Sequence, residues 1–184
     1  MKNTGMLILA AALLVLSTQR AECRSASSAD GIRVVAQRAY ELLRAGDYDA
    51  LYELLSSDTQ RRIPRARFVS SLVRARGFYA LDRLQLSTVR TGERLAVADV
   101  TVYGRSFWPP IGAAKVIARP YFVRENNSWR LALAPPTNLS AADRRLARRF
   151  PVREPLVYVQ RAGSWAKLGS IGALSRSLGL WPTQ

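Results

Sequence analysis

The stretch from Leu42 to Leu51 ends one helix and begins another. Gly46 can adopt the left-handed backbone conformation that closes a helix, because it has no Cβ to clash. Asp47 can accept a hydrogen bond from the free amides that open the next helix. The sequence therefore predicts two helices that meet at a sharp corner, and this join constrains the fold more than any other feature.

The pattern on either side of this join predicts three N-terminal helices. The first covers residues 31–45, in which apolar positions recur at helical spacing while Arg33, Gln37 and Glu41 fall on the other face. The second covers residues 48–56. The third begins at Pro64, which suits a first helical turn, and ends at Arg76, where Gly77 follows.

The period changes downstream from helical spacing to strand alternation. Leu84, Leu86 and Thr88 alternate with polar neighbours, and the stretch 96–103 alternates in the same way. Residues 116–124 and 129–133 read as two more strands, joined by a turn at 125–128 that predicts an antiparallel hairpin. Helices followed by an antiparallel sheet indicate the α+β class.

The segment from Ala39 to Leu55 resembles the opening helix pair of nuclear transport factor 2-like domains. Phe68, the strand at 96–102 and the hairpin at 121–131 resemble later parts of the same family, so that the likeness covers residues 31–135. The resemblance implies three N-terminal helices packed on a curved antiparallel sheet, in a cone with an internal cavity. It implies no particular activity, because the fold hosts isomerases, dehydratases, ligand binders and secretion-system components.

The chain divides into four parts. Residues 1–22 contain an apolar run, Met6–Leu16, that is too short to span a bilayer easily and predicts a signal peptide or a membrane anchor. A linker at 23–30 precedes the domain at 31–136. We expect a C-terminal extension at 137–184 to hold a short helix that opens with a capping box at Ser140–Asp143, a strand hairpin, and a weak helix at 170–178.

Composition excludes several kinds of site. The chain has no histidine and only one cysteine, Cys23, so Ser-His-Asp triads, Cys-His pairs, intrachain disulfides and zinc sites built on these residues are excluded in the monomer. No metal or cofactor is expected. The net charge of +15 comes almost entirely from arginine; solvated charge without a polymer ligand is the favoured interpretation, and an anionic membrane surface or an acidic partner is the alternative. Nucleic acid is disfavoured as a partner, because the densest basic tracts lie far apart and no RNA-binding aromatic signature accompanies them.

Four side chains and one loop are candidate functional positions. Asp99, inside an apolar strand, is a weak candidate for a catalytic base with a raised pKa; the alternative is an ion pair with an arginine across the sheet. Tyr40, Asp82 and Tyr121 could line a cavity and bind a small polar ligand. The loop Trp108-Pro109-Pro110 predicts either an interface patch or a lid on the cone.

These observations favour an exported or membrane-anchored, non-enzymatic binding or assembly module of the cell envelope, located in the periplasm or otherwise outside the cytoplasm. One alternative is a small isomerase or dehydratase that uses a cavity carboxylate. Another is a membrane-tethered component of a secretion system. The expected partner is an envelope protein or a small apolar ligand, with an anionic membrane surface or a second copy of the chain as further alternatives.

Overall fold

The computed structural model describes residues 28–106, 112–152, 154–170 and 173. Five α-helices, a short 3₁₀ helix at Arg76–Phe78 and seven strands are described in this part of the chain. In chain order they are α1 (28–45), α2 (Tyr48–Glu53), α3 (Ser57–Arg62), α4 (Arg65–Ala75), β1 (Tyr79–Thr91), β2 (Leu95–Ser106), β3 (Gly112–Ala118), β4 (Tyr121–Glu125), β5 (Ser128–Ala132), α5 (Ala141–Arg149), β6 (Leu156–Arg161) and β7 (Ser164–Ser170). The predicted leader, the Trp108-Pro109-Pro110 loop and nearly all of the weak C-terminal helix lie outside the described residues.

The predicted join between the first two helices is confirmed. Gly46 has φ = +80°, and its amide donates to the carbonyl oxygen of Leu42 at 2.9 Å. Asp47 Oδ1 accepts a hydrogen bond from the amide of Ala50 at 3.1 Å, which caps α2. The first helix begins at residue 28, so it includes the end of the predicted linker.

Four helices, rather than the predicted three, precede the sheet. The additional helix, α3, has no apolar stripe, and polar contacts at its ends hold it instead. Ser56 Oγ accepts from the amide of Thr59 at 3.3 Å, and the carboxylate of Glu125 accepts from the amide and the hydroxyl of Ser57 at 3.1 and 2.8 Å. Hydrophobic periodicity cannot detect a helix that is made by its caps.

All strands of the main sheet pair in antiparallel fashion around β2. β1 pairs with one edge of β2. β3 and β4 both pair with the other edge, and the pairing register of β3 continues into β4 across a break in the strand at Arg119–Pro120. β5 extends the sheet beyond β4, and the β6–β7 hairpin extends it beyond β3. The predicted α+β class is confirmed, and the described part of the C-terminal extension continues the main sheet.

The two faces of the sheet are covered differently. On the inner face, Ile32 and Ala36 of α1 pack against Ala96 and Ala98 of β2, together with Phe122. The outer face carries Leu95, Val97, Tyr121 and Val123, and α5 with its flanking residues packs on these four. The alternation along β2 therefore serves two cores, one on each side.

The buried carboxylate of Asp143 attaches α5 to the sheet. Asp143 is fully buried. Its Oδ1 accepts hydrogen bonds from the backbone amides of Glu93 (2.9 Å) and Leu95 (3.3 Å), and its Oδ2 accepts one from the backbone amide of Arg94 (3.1 Å). Three successive amides at the β1–β2 turn thus form a concave anion site that is occupied from within the chain. Ser140 caps α5 as predicted, but the carboxylate binds this turn instead of completing a capping box.

Gly92 is required at this turn because a Cβ there would overlap Oδ1 of Asp143. We expect Asp143→Ala to lower the free energy of unfolding by about 3 kcal/mol, because it removes three hydrogen bonds and leaves the buried amide of Leu95 without a partner. Gly92→Ala should also destabilise the protein, but by at least ~1 kcal/mol less when Asp143 is already alanine. Urea denaturation of the two single variants and the double variant measures both effects.

Glu93→Gln, an exposed change in the same turn, is the control and should alter stability by less than about 0.5 kcal/mol. If the costs of Gly92→Ala and Asp143→Ala simply add, Asp143 does not hold this turn.

Candidate functional site

Asp99 lies on the outer face of the sheet, on the opposite side from α1. Its Oδ2 accepts from Arg90 Nη1 at 2.8 Å, and its Oδ1 accepts from Arg119 Nε at 2.7 Å. The ring of Phe150, just beyond α5, lies beside both guanidinium groups, with ring-centroid distances of 4.2 Å to Arg90 and 5.8 Å to Arg119. Arg119 is the direct cross-strand neighbour of Asp99 in the shared register of β3 and β4.

This environment keeps Asp99 ionised. Partial burial acts to raise the pKa of Asp99, but the hydrogen bonds from Arg90 and Arg119 outweigh it, so the pKa is lowered. A general base of the predicted kind needs a raised pKa and a carboxylate that faces a cavity. The geometry of Asp99 fits the alternative reading, an ion pair across the sheet, and does not fit a base inside a cone.

The three predicted ligand-binding residues occupy different environments. Tyr40 is buried on α1. Asp82 is exposed where the pairing of β1 with β2 shifts register, and its Oδ1 lies 3.9 Å from Nη2 of Arg105. Tyr121 lies beneath α5, where its hydroxyl points to the carbonyl oxygens of Phe150 (2.8 Å) and Ala147 (3.3 Å). Burial raises the pKa of Tyr121. The structure does not bring these three side chains together.

Buried phenols occur near the corner between α1 and α2. The hydroxyls of Tyr40 and Tyr48 have no hydrogen-bond partner among the described residues. Burial raises the pKa of Tyr79 to about 12, and the adjacent Tyr48 phenol acts in the same direction. Tyr40 and Tyr48 are therefore core aromatics, whose hydroxyls meet no partner among the described residues, rather than a polar site open to solvent.

Two of the concave regions on the described surface bear on the candidate residues. One is a groove of about 660 Å³ along α4, lined by residues of that helix, including Arg65, Val69, Val73 and Arg74, and by Asp49 of α2. The other, of about 180 Å³, lies between α3 and the residues that follow β5. Neither region is lined by Tyr40, Asp82, Asp99 or Tyr121. In the described ranges, no group of three or more acidic residues is placed to hold a metal ion.

The part of the outer face that α5 does not cover carries alternating basic and aromatic side chains. One residue from each of five strands contributes, and successive residues are direct cross-strand partners. Such partners project to the same side of a sheet. We call this set the cation–aromatic row; from β1 through β2, β3 and β6 to β7 it consists of Arg83, Tyr103, Lys115, Tyr158 and Lys167.

Contacts between cations and rings hold the row in place. The Arg83 guanidinium lies 4.1 Å from the centroid of the Tyr103 ring. Lys115 Nζ lies 4.5 Å from the ring centroid of Trp165, a residue of β7, and 5.5 Å from that of Tyr158. Tyr103 and Trp165 meet edge to face, with their centroids 6.2 Å apart. The guanidinium of Arg83 and the ammonium of Lys115 are therefore positioned before any ligand arrives.

The row is an unneutralised positive surface. The five strands that carry it contain two carboxylates, Asp82 and Asp99, and each lies within 4 Å of an arginine outside the row. In the described part of the chain, no carboxylate forms a salt bridge with Arg83, Lys115 or Lys167. A surface of this kind attracts anionic groups.

Sequence reasoning missed the row because its members are scattered over 85 positions, from 83 to 167. The available signal was the alternation within single strands, which assigns Tyr103 to one face of β2 and Tyr158 to one face of β6. That signal could not show that the strands align these residues, because cross-strand register is not encoded locally.

No family model and no curated protein matches this chain. Among solved structures, the chain is similar to an NTF2-like protein with a cystatin-like fold from Novosphingobium aromaticivorans, determined at 1.16 Å resolution. The two are 22% identical, the match covers 71% of this chain and 96% of the other, and the TM-score is 0.45.

Matched substitutions at two tyrosines test these assignments. Tyr121→Phe should lower the free energy of unfolding by about 1 kcal/mol, since it removes a hydroxyl bonded to the end of α5. Tyr40→Phe should leave stability unchanged or raise it by up to ~1 kcal/mol, because its hydroxyl is buried without a partner among the described residues. Urea denaturation measures both. A loss for Tyr40→Phe as large as that for Tyr121→Phe would show that Tyr40 has a bonding partner.

Proposed function

We propose that this protein is a non-catalytic binding module that holds an anionic partner on the cation–aromatic row. The single observation that carries the proposal is the alignment of three basic residues from β1, β3 and β7 on one open sheet face, none of them in a salt bridge with a described residue. Contacts with aromatic rings restrain Arg83 and Lys115 in advance, so binding costs less side-chain entropy.

The arrangement of the other candidate residues supports binding over catalysis. Asp99 is held by two arginines, and Tyr121 is bonded beneath α5. Tyr40 lies on α1 and Asp82 at an exposed position of β1, so these side chains do not form one site with Asp99 and Tyr121. An isomerase or dehydratase would need a base and a polarising group that converge on one substrate.

A partner other than a second copy of this chain is favoured. The protein carries a net charge of +15, and a symmetric dimer through the open sheet face would bring two identical basic rows together. Like charges placed opposite one another oppose association. An acidic partner has the complementary charge.

The proposed setting is the cell envelope, outside the cytoplasm. This part of the proposal is supported by the basic start and the apolar run at 6–16, which are typical of an export signal or an anchor. Across the described residues, no helix combines the length and apolar character needed to cross a bilayer. A membrane-tethered role in secretion stays an alternative that depends on whether the leader is retained.

The charge dependence of binding to heparin, a sulfated polysaccharide, tests the proposed surface. Replacing Arg83, Lys115 and Lys167 by glutamine should weaken heparin binding about tenfold or more, since each contact to an anion contributes up to ~1 kcal/mol. The matched control changes Arg144, Arg145 and Arg148, which are exposed on α5, to glutamine. This control removes the same charge and should weaken binding by less than about threefold.

Binding isotherms measured over a range of salt concentrations give both values. Equal losses in the row variant and in the α5 variant would mean that the whole basic surface binds heparin without a defined site, which contradicts the proposal.

A further inference from the structure

We infer that the exposed face of α4 docks an amphipathic helix of a partner protein, and that this helix carries acidic side chains along one flank of its apolar stripe. The surface is separate from the cation–aromatic row. The row lies on the outer face of the sheet, whereas α4 packs against the corner between α1 and α2. A helix docked on α4 is therefore a second contact, beyond the one in the proposed function.

Helix α4 is packed on one side only. Phe68 and Leu72 are half-buried and pack against residues of α1 and α2 that include Leu42 and Leu51. None of the residues of α4 is buried, and Val73 is 56% exposed. A surface helix normally buries its apolar stripe against the core. Here part of the apolar surface of α4 stays open to solvent.

Four small or apolar residues form this open part. They recur at intervals of three and four residues, so they form one stripe along the helix. We call it the α4 stripe; it lines the groove along α4 and consists of Ala66, Val69, Ser70 and Val73. The Ser70 hydroxyl donates to the carbonyl oxygen of Arg67 at 3.2 Å, so its donor is satisfied within the helix. The α4 stripe can therefore be covered without leaving that donor unpaired.

The size of these side chains favours a helix over a membrane as the occupant. Ala66 and Ser70 lie one turn apart, and small side chains at a contact let two helices approach closely. A helix that inserts into a membrane interface presents Trp, Phe or Leu on its apolar face, and the α4 stripe contains none of these. The carboxylate of Asp49, at the edge of the groove, also opposes an anionic lipid surface.

The charges on the two sides of the α4 stripe differ. On one side, Arg65 forms salt bridges with Asp49 and Glu53, so that one arginine meets two carboxylates and this group has a net charge of −1. By helical position, Arg67 and Arg74 share the opposite side. Neither of these two forms a salt bridge with a described residue. The complementary helix therefore has acidic residues on one flank and neutral or basic residues on the other.

This chain is a poor source of such a helix. The terminal segments outside the described residues are 1–27, which contains Glu22 against three basic residues, and 174–184, which contains no carboxylate. A second copy is also disfavoured, because two chains that each carry a net charge of +15 repel one another. The occupant with the matching charge is an acidic helix of another protein.

Two helical peptides of about 18 residues test the inference on the full-length protein; lactam bridges on the outer face hold each helix. Both carry leucine at intervals of three and four residues and glutamine on one flank of that stripe. On the other flank, one peptide has glutamate and the other has lysine. Fluorescence anisotropy should show that the glutamate peptide binds at least about tenfold more tightly.

Reversing the charge of α4 should reverse this preference. With Arg67→Glu and Arg74→Glu together, the lysine peptide should bind more tightly than the glutamate peptide. The matched control is Arg144→Glu with Arg145→Glu, which makes the same change of charge at exposed positions of α5 and should leave the preference unchanged.

Two exposed valines separate a contact with the α4 stripe from attraction by charge alone. Val73→Ser should weaken binding of the glutamate peptide at least about fivefold, because it removes an apolar contact in the groove. Val34→Ser makes the same change on α1, where the valine is 68% exposed and outside the groove, and should leave the affinity unchanged. Circular dichroism checks that both variants are folded.

Several results would overturn the inference. They are equal affinity for the two peptides, no loss with Val73→Ser, a dimer in sedimentation velocity that Val73→Ser dissociates, or α4-dependent binding to vesicles of phosphatidylglycerol and phosphatidylcholine without binding of the glutamate peptide. The proposed function is judged separately. The triple glutamine variant of the row should lose heparin but keep the glutamate peptide, and Val73→Ser should keep heparin, so that either claim can fail without the other.

Discussion

The contact between the Asp143 carboxylate and the amides of the β1–β2 turn determines how the outer face of the sheet is used. A fully buried charge is costly unless it is satisfied by hydrogen bonds, and here three amides satisfy it. Because Asp143 lies in the first turn of α5, the contact fixes the start of that helix over one part of the sheet. The remaining part, built from β3, β6, β7 and the adjoining ends of β1 and β2, is left uncovered by α5.

This division separates two groups of charges with different roles. Beneath and beside α5, Asp99 is neutralised by Arg90 and Arg119, and Phe150 packs against their guanidinium groups. Both arginines of this group are therefore paired with a carboxylate, although the group keeps a net charge of +1, and its contacts with Phe150 help to hold the end of α5 on the sheet. On the open part, aromatic rings restrain Arg83 and Lys115, and no described carboxylate forms a salt bridge with these two residues or with Lys167. The row is the group proposed to bind a ligand, since no described carboxylate compensates its charge.

The sequence predicted those features that depend on neighbouring residues. The Gly46-Asp47 join, the alternation within β1 and β2 and the 125–128 turn are local, and the structure confirms them. The single strand predicted at 116–124 is wrong, because the chain leaves the strand at Arg119–Pro120 and divides it into β3 and β4. Helix α3 was missed because polar caps, one of them from the distant Glu125, hold it in place of an apolar stripe. The positions of Asp99, Asp143 and the cation–aromatic row depend on partners up to 50 residues away or on cross-strand register, which no local pattern specifies.

The central claim, that the open outer face is the binding surface, is tested most directly by acetylating lysines in the presence and absence of bound heparin. Apart from Lys2, the chain contains only Lys115 and Lys167, and both belong to the row. Mass spectrometry can therefore measure acetylation of the row with little signal from lysines elsewhere in the chain. The account predicts that saturating heparin slows acetylation of both lysines, in the native protein and in the α5 triple variant alike. Unchanged reactivity of Lys115 and Lys167 while heparin is bound would contradict it.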